Sequence, residues 1–157
     1  MTIRPLGTSD RARILEILIA TARFTRQEVG WAMELVDAAA AGAKSEYTAH
    51  VIEDVARCVQ GYVLFGPTPM AEGVWDLYWI AVDPRQQGQG LGQILLRFVE
   101  NEARRQDGRM LLIETSSKRS YAPTMRFYQR AGYREISRIK DFYRIEDDKV
   151  VFSKNLQ

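Results

Sequence analysis

A strong strand signal, a glycine-rich turn and an amphipathic helix follow one another between residues 73 and 99. Residues 73–82 (GVWDLYWIAV) are dominated by aromatic and β-branched side chains, which favour a β-strand. Residues 83–92 (DPRQQGQGLG) then carry glycine at three alternating positions. Apolar residues recur after the turn at the spacing of one helix face: Leu91, Ile94, Leu95, Phe98 and Val99. The chain therefore places a tight glycine turn where a strand meets a helix.

This turn predicts an anion-binding site. Glycine tolerates positive φ and lets a ligand approach the backbone closely. The first turn of a helix adds unpaired N–H groups and the positive end of the helix dipole, a combination that suits phosphate or pyrophosphate. The spacing G-x-G-x-G differs from the G-x-G-x-x-G of dinucleotide folds, and no Gly-Lys-Ser/Thr follows as in a P-loop. NAD and ATP are therefore disfavoured, and a turn kept only for its tight geometry is the alternative.

The rest of the chain predicts one domain over residues 1–157, with the element order β-α-α-β-β-β-α-β-α-β-β. Such an order is typical of a mixed sheet with helices packed on it. Thr25 and Glu28 fit a capping box that begins the second helix. Strict alternation in the strand at 73–82 would place Trp75, Leu77, Trp79 and Ala81 on one face and Asp76, Tyr78, Ile80 and Val82 on the other. The other strands are expected at 3–6, 46–54, 58–65, 110–115, 133–139 and 150–154, and Asp147 in the turn before the last one.

Composition excludes several classes of protein. With 46% hydrophobic and 27% charged residues, the 157-residue chain has the balance of a globular domain. The single cysteine, Cys58, and the single histidine, His50, exclude a disulfide framework, a Cys-based zinc site and a multi-His metal site. No apolar run reaches the ~18 residues of a membrane span, and no signal peptide is evident. We therefore expect a cytoplasmic domain that binds no metal and no membrane, with Cys58 buried as a small apolar side chain.

Three motifs resemble those of one superfamily. Residues 80–92 (IAVDPRQQGQGLG) resemble the coenzyme A motif of the GCN5-related N-acetyltransferases (GNAT), Arg/Gln-x-x-Gly-x-Gly/Ala, here Gln87-x-x-Gly90-x-Gly92. The register that starts at Arg85 also fits. Residues 3–6 (IRPL) resemble the first strand of that superfamily, and residues 127–133 (FYQRAGY) its F-Y-x-x-x-G-F helix end. The motifs occur in the family's order and cover nearly the whole chain.

The resemblance implies a fold and a co-substrate. The fold is α/β (α+β), a mixed, mostly antiparallel sheet of six or seven strands flanked by about four helices, with splayed central strands at 73–82 and 110–115. The co-substrate is acetyl-CoA. Main-chain groups of the first strand would pair with its pantetheine arm, and main-chain N–H groups of the turn would hold its pyrophosphate. The implied cofactor-binding residues are Ile80, Ala81, Val82, Gln87, Gly88, Gln89, Gly90, Leu91 and Gly92.

The resemblance also implies catalytic residues. Tyr128, the tyrosine of the F-Y pair, would protonate the leaving thiolate; the alternative is a packed aromatic whose hydroxyl bonds to the backbone. An amine nucleophile must first lose a proton, because a lysine-type ammonium has a pKa of about 10.4. Glu114, at the end of the strand MLLIET, is the preferred base, and Asp76 on the neighbouring strand is the competitor. Either acid could instead be a strand-end partner of an arginine, and a water chain could replace a single base.

The distribution of charge and two departures from the family pattern bear on which amine accepts the acetyl group. Residues 1–84 hold 7 Lys/Arg against 11 Asp/Glu, and in this family they include the helices over the acceptor site, which favours a small cationic amine. Relatives often carry asparagine and alanine where this chain has Tyr121 and Thr124, which argues against a ribosomal-protein substrate. A protein N-terminus or lysine is the alternative acceptor, and a non-catalytic acyl-CoA sensor is the alternative function. The 15 Lys/Arg and 9 Asp/Glu of residues 85–157 come without a nucleic-acid-binding motif, so no nucleic acid is expected; a homodimer stays open.

Overall fold

The computed structural model describes residues 1–42 and 46–157, and they form the predicted order of elements. The strands are β1 Thr2–Pro5, β2 Thr48–Glu53, β3 Val59–Pro67, β4 Val74–Val82, β5 Met110–Ser116, β6 Arg134–Arg144 and β7 Asp147–Asn155. The helices are α1 Arg11–Ala20, α2 Arg26–Ala40, α3 Leu91–Arg105 and α4 Ala122–Arg130. Short 3₁₀ turns precede α1, α3 and α4.

All seven strands belong to one mixed sheet with the order β1-β2-β3-β4-β5-β7-β6. Every neighbouring pair is antiparallel except β4 and β5, which run parallel. This parallel pair needs a crossover, which α3 supplies. The predicted fold class is therefore confirmed.

Helices cover both faces of the sheet and enclose two apolar cores. On one face α3 and α4 pack over Phe65, Trp75, Leu77, Leu111 and Phe152. On the other face α1 and α2 pack over Val51, Tyr62 and Leu64. The α3 stripe is buried as predicted at Leu91, Leu95 and Val99, whereas Ile94 is 44% exposed. The predicted capping box of α2 is present, with the Glu28 N–H donating to Thr25 Oγ1 (3.2 Å) and the Thr25 N–H to Glu28 Oε2 (2.6 Å).

The alternation predicted for β4 is wrong because the strand contains a β-bulge. Leu64 lies opposite Trp79, but the next residue, Phe65, lies opposite Leu77, so Tyr78 is an extra residue in β4. A bulge of one residue exchanges the two faces of the strand beyond it. Trp75 and Leu77 accordingly pack in the core under α3 and α4, whereas Trp79 and Ala81 pack under α1 and α2, and Ile80 and Val82 return to the α3 side.

The parallel ladder between β4 and β5 is short. It contains four pairs, from Val74 with Met110 to Leu77 with Ile113. Beyond the last pair β4 continues along β3 to Val82, while β5 continues along β7 to Ser116. The two strands therefore splay apart in the middle of the sheet, as the family resemblance implies.

Three further expectations are corrected. Cys58 is exposed rather than buried, because it lies in the turn between β2 and β3. The last two strands are longer than predicted, so Asp147 lies in β7, where it is 3% exposed, rather than in a turn. The longer β6 brings Tyr143 and Arg144 to the opening of the sheet.

Candidate active site

A cleft of about 1050 Å³ occupies the gap between β4 and β5. Its walls come from the start of α2, the glycine turn before α3, the helix α4 and the end of β6. The splayed strands leave backbone hydrogen-bonding groups facing this space, which distinguishes the cleft from an ordinary surface groove.

Alternate residues of β4 turn their main-chain hydrogen-bonding groups away from β3 and toward the cleft, which gives β4 an open edge there. The Asp83 N–H donates to the Gln60 carbonyl (2.8 Å) across the β3 ladder. Because an antiparallel ladder alternates, the main-chain groups of Ala81 also turn toward β3, whereas those of Ile80 and Val82 turn away from it and toward the cleft. The Gln87 side chain reaches the Val82 carbonyl at 3.5 Å from that side. Of the three residues expected to pair with the pantetheine arm, the ladder leaves Ile80 and Val82 open to do so.

The glycine turn has the geometry of an anion cradle. Gly88 and Gly90 both have φ of +80°, and a Cβ on either would meet no atom within 4 Å. The space beside them is therefore open, while the positive φ favours glycine. The first α3 amide with a helical acceptor is that of Ile94, which donates to Gly90 (3.0 Å). In the described chain the N–H groups of Leu91, Gly92 and Gln93 have no acceptor, which makes them available to a pyrophosphate.

The remaining turn residues differ in their contacts. Gly92 is a packing position, since a Cβ there would touch the Phe127 ring at 3.5 Å. The Gln89 side chain donates to Gln86 Oε1 (2.9 Å), so any contact of Gln89 with the ligand would come from its main chain.

Asp83 fixes the approach to the cradle, and sequence reasoning did not single it out. Its carboxylate is 1% exposed, accepts the Arg85 N–H (2.9 Å) and pairs with the guanidinium groups of Arg13 and Arg85. These contacts, Arg85 first, hold the pKa of Asp83 well below its usual value. Arg85 is therefore already paired with Asp83. The Asp-Pro step directly after a strand was the signal available in the sequence.

Tyr128 lies in α4 at the floor of the cleft. Its side chain is 4% exposed and packs against the rings of Phe127, Tyr133 and Phe152. No residue that the structure describes hydrogen-bonds its hydroxyl, in contrast to the packed-aromatic alternative. Burial raises the pKa of Tyr128, so the hydroxyl keeps its proton at neutral pH. A buried, protonated and uncommitted hydroxyl is suited to donate a proton.

Glu114 lies in β5 one residue beyond the last pair with β4, and it lines the same cleft as Tyr128. Its carboxylate forms an ion pair with Lys149 of β7, with 2.8 Å between Oε1 and Nζ, and its side chain is 51% exposed. Apart from this lysine, nothing in residues 1–42 and 46–157 donates to the carboxylate. Glu114 is thus accessible from the cleft as a proton acceptor.

Asp76 lies beside the cleft rather than in its lining. Its carboxylate accepts a hydrogen bond from Thr68 Oγ1 (2.7 Å). Burial, together with the charge of Glu114, raises the pKa of Asp76 in spite of the Thr68 hydrogen bond. The structure therefore places Tyr128 and Glu114 in the lining of one cleft and Asp76 outside that lining.

Part of the cleft lining is aromatic and charged. Trp31 and Glu28 come from α2, Tyr121 from the turn before α4, and Tyr143 and Asp147 from the β6–β7 hairpin. Burial, with the charges of Glu28 and Asp147, raises the pKa of Tyr121 to about 12. Of these residues the sequence singled out Tyr121; the others depend on a hairpin and a helix start that are distant in sequence.

Two further findings concern a metal ion and a membrane. The part of the chain that the structure describes contains no group of three or more His, Cys, Asp or Glu side chains arranged for a metal ion. It also contains no helix that is long and apolar enough to cross a membrane.

Known proteins share this fold and these motifs. A family model of the acetyltransferase (GNAT) domain matches residues 44–135. The solved structure of a GNAT-family protein from Desulfovibrio desulfuricans is 40% identical, with 99% of each chain covered and a TM-score of 0.93. The ribosomal-protein-S18-alanine N-acetyltransferase from Escherichia coli is 20% identical over 99% of this chain and 94% of its own, with a TM-score of 0.73. No curated protein matches the chain.

A complex with the cofactor is also among the similar structures. The yncA protein from Salmonella typhimurium, solved with its cofactor acetyl-CoA, is 23% identical over 100% of this chain and 94% of its own, with a TM-score of 0.74. The split sheet and the glycine cradle define a transferase that uses an acyl-coenzyme A. The chain belongs to the GNAT family of acetyltransferases. The open β4 edge and the free α3 amides are the groups available to a pantetheine arm and a pyrophosphate.

Proposed function

We propose that this enzyme transfers the acetyl group of acetyl-CoA directly to a primary amine in a ternary complex, with Glu114 as general base and Tyr128 as general acid. The observation that carries the proposal is that both side chains line the cleft between the splayed strands. The main-chain groups of Ile80 and Val82 and the free amides of Leu91, Gly92 and Gln93 would hold the coenzyme along one wall.

The proton transfers follow from the chemistry of the two side chains. Glu114 takes a proton from the acceptor ammonium, which leaves a neutral amine. The amine nitrogen then forms a bond with the acetyl carbon, and the carbon–sulfur bond breaks. Tyr128 gives its proton to the leaving thiolate as the carbon–sulfur bond breaks. The new amide nitrogen loses its second proton, which returns through water to the Tyr128 oxygen, and Glu114 releases its proton to solvent.

Asp76 remains the competing base in this proposal. It lies opposite Leu112 in the parallel ladder, before the strands splay, and its charge interacts with that of Glu114. We favour Glu114 because it lines the cleft and Asp76 does not.

We propose a small cationic amine as the acceptor. Three carboxylates line the cleft, those of Glu28, Glu114 and Asp147, and tyrosine rings lie beside them. A cation is attracted by both kinds of group. Five cations line the cleft as well, Arg23, Lys118, Arg126, Arg130 and Arg144, and Lys118 pairs with Asp147 (3.4 Å). An amine that also carries a carboxylate therefore belongs in any screen. A cytoplasmic location and a homodimer stay predictions of the sequence.

The test is a screen for coenzyme A release from acetyl-CoA, with mass detection of the acetylated acceptor. The panel contains diamines and polyamines, aminoglycosides, amino acids, and peptides with free N-termini or lysine side chains. We expect turnover with a small amine that is lost in Tyr128→Phe. Turnover with peptides alone would establish the protein N-terminal or lysine alternative. Binding of acetyl-CoA without turnover on any amine would establish the sensor alternative and contradict the proposal.

A further inference from the structure

Lys149 lies directly behind the proposed base. Its Nζ is 2.8 Å from Glu114 Oε1, and its side chain is 18% exposed, against 51% for Glu114. In the β5–β7 register Lys149 lies opposite Ser116, two residues beyond Glu114 on the same side of β5. The ion pair is therefore a diagonal cross-strand contact whose position is set by the sheet.

A second contact holds the lysine ammonium in place. The Nζ of Lys149 lies 4.9 Å from the centre of the Phe142 ring, within the range of a cation–π interaction. Phe142 belongs to the stretch of β6 between Ile139 and Arg144 where the register with β7 breaks. Asp148 ties this stretch to β7 by accepting the Asp141 N–H (3.0 Å). The ammonium thus has an anionic partner on one side and an aromatic partner on the other.

The charges around Glu114 make this lysine distinctive. The titratable groups that face Glu114 are Asp76 and Tyr78 from β4, Tyr143 from β6 and Lys149 from β7. Within the described residues, Lys149 is the cation of this set. Its charge also favours the ionised form of Asp76, whereas the charge of Glu114 opposes it. Lys149 therefore acts on both candidate bases.

We infer that Lys149 is a positioning residue for acetyl transfer, which holds the Glu114 carboxylate at the cleft wall through Oε1 and leaves Oε2 free for the acceptor amine. The inference rests on the proposed function, because it assigns a role in the same reaction. The proton of the acceptor ammonium goes to Glu114, and the ammonium of Lys149 further disfavours the charged form of an amine held nearby.

The same strand offers a matched control. Lys154 of β7 also pairs with a glutamate, Glu100 (2.9 Å), and its Nζ lies 5.4 Å from the Tyr133 ring. Lys154, Glu100 and Tyr133 lie outside the lining of the cleft, and Lys154 also donates to the carbonyl of Ala131 (2.9 Å), a lining residue. A lysine-to-methionine change at either position removes the same kind of contact, but only the change at Lys149 does so beside the reacting groups.

The experiment compares wild type, Lys149→Met, Lys149→Arg and Lys154→Met. In Lys149→Met we expect kcat to fall about tenfold or more and the KM for acetyl-CoA to stay unchanged, because the base is no longer held in place. Lys149→Arg should restore most of kcat. Lys154→Met should lower the melting temperature and leave kcat near that of wild type. A Lys149→Met enzyme with wild-type kcat would overturn the inference.

A second readout does not depend on turnover. NMR relaxation of the ¹³C-labelled Glu114 side chain is measured, and its order parameter should be lower in Lys149→Met than in wild type and in Lys154→Met. An unchanged order parameter overturns the inference whatever the activity. If the order parameter falls but wild type acetylates no amine, the ion pair acts as inferred and the proposed function is the part that fails.

Discussion

Leu77 and Ile113 form the last pair of the parallel ladder between β4 and β5, and the candidate binding groups of both strands lie just beyond this pair. Tyr78, the next residue of β4, is the extra residue of a bulge, and Glu114, the next residue of β5, faces the cleft. Beyond this point β5 no longer pairs with β4, so the main-chain groups on that side of β4 are free to face the cleft. A break in hydrogen bonding in the middle of the sheet thus creates the binding site.

Replacing the hydroxyl of Tyr128 tests the general acid. In Tyr128→Phe we expect kcat to fall about 10²-fold or more, because the proposed proton donor to the thiolate is removed. The melting temperature should be equal or higher, since the hydroxyl has no hydrogen-bond partner among the residues described and is nevertheless buried. Steady-state kinetics and thermal unfolding measure the two effects.

Tyr133→Phe is the matched control for that change. Tyr133 is equally buried, but its hydroxyl donates to Glu100 (3.0 Å) outside the cleft. We expect it to lower the melting temperature and to leave kcat near that of wild type. Equal loss of kcat in both variants would mean that packing of α4, rather than the Tyr128 proton, limits the reaction.

Two amide substitutions distinguish the candidate bases. Glu114→Gln should lower kcat about 10²-fold, because it removes the proton acceptor in the cleft. Asp76→Asn should change kcat little. It should also leave stability at pH 7 equal or higher, because a carboxyl whose pKa is raised in the fold adds stability that is lost as pH rises. A greater loss of kcat in Asp76→Asn than in Glu114→Gln would assign the base to Asp76.

Two glycine substitutions separate backbone strain from helix packing at the cradle. Gly90 has φ of +80°, so Gly90→Ala should cost about 1–2 kcal/mol of stability and weaken acetyl-CoA binding. Gly92 has no such constraint, and its new methyl group would make ordinary contact with Phe127. Gly92→Ala should therefore keep the stability and the acetyl-CoA affinity of wild type. Thermal unfolding measures the stability of each variant, and calorimetric titration with acetyl-CoA measures its affinity. Equal affinities for the two variants would mean that the turn does not contact the ligand.

The carboxylate of Asp83 should contribute stability that depends on pH. Its pKa is depressed in the fold, so the contribution is complete above its usual value of 3.8 and is lost as pH falls further. Asp83→Asn should cost about 1–3 kcal/mol at pH 7, with a fall in melting temperature of roughly 3–10 °C. The difference from wild type should shrink below about pH 4. A difference that is constant down to pH 2 would contradict the role given to the charge.

Local patterns in the sequence predict much of this molecule. The element order, the capping box at Thr25 and the glycine turn all depend on neighbouring residues, and the structure contains each of them. The family resemblance implied the splayed strands and the roles of Tyr128 and Glu114. Residues whose partners lie far along the chain were harder to predict.

The features that escaped prediction are long-range. The bulge at Tyr78 depends on how β4 meets β3, and no residue within β4 marks it. The pair of Glu114 and Lys149 depends on the β5–β7 register, which brings together residues 35 positions apart only after folding. Tyr143 reaches the cleft because β6 continues past a break in its register with β7. Cys58 is exposed because it lies in an exposed turn between β2 and β3.

The central claim is that the gap between β4 and β5 binds acetyl-CoA for reaction at Glu114 and Tyr128. Thermal unfolding with and without acetyl-CoA tests it most directly. At about 100 times Kd the ligand should add roughly 2.7 kcal/mol, which is a shift of roughly 5–10 °C for a domain of this size. We expect this shift in wild type and in Tyr128→Phe, and none with NAD or ATP. No shift at saturating acetyl-CoA, or an equal shift with ATP, would contradict the account.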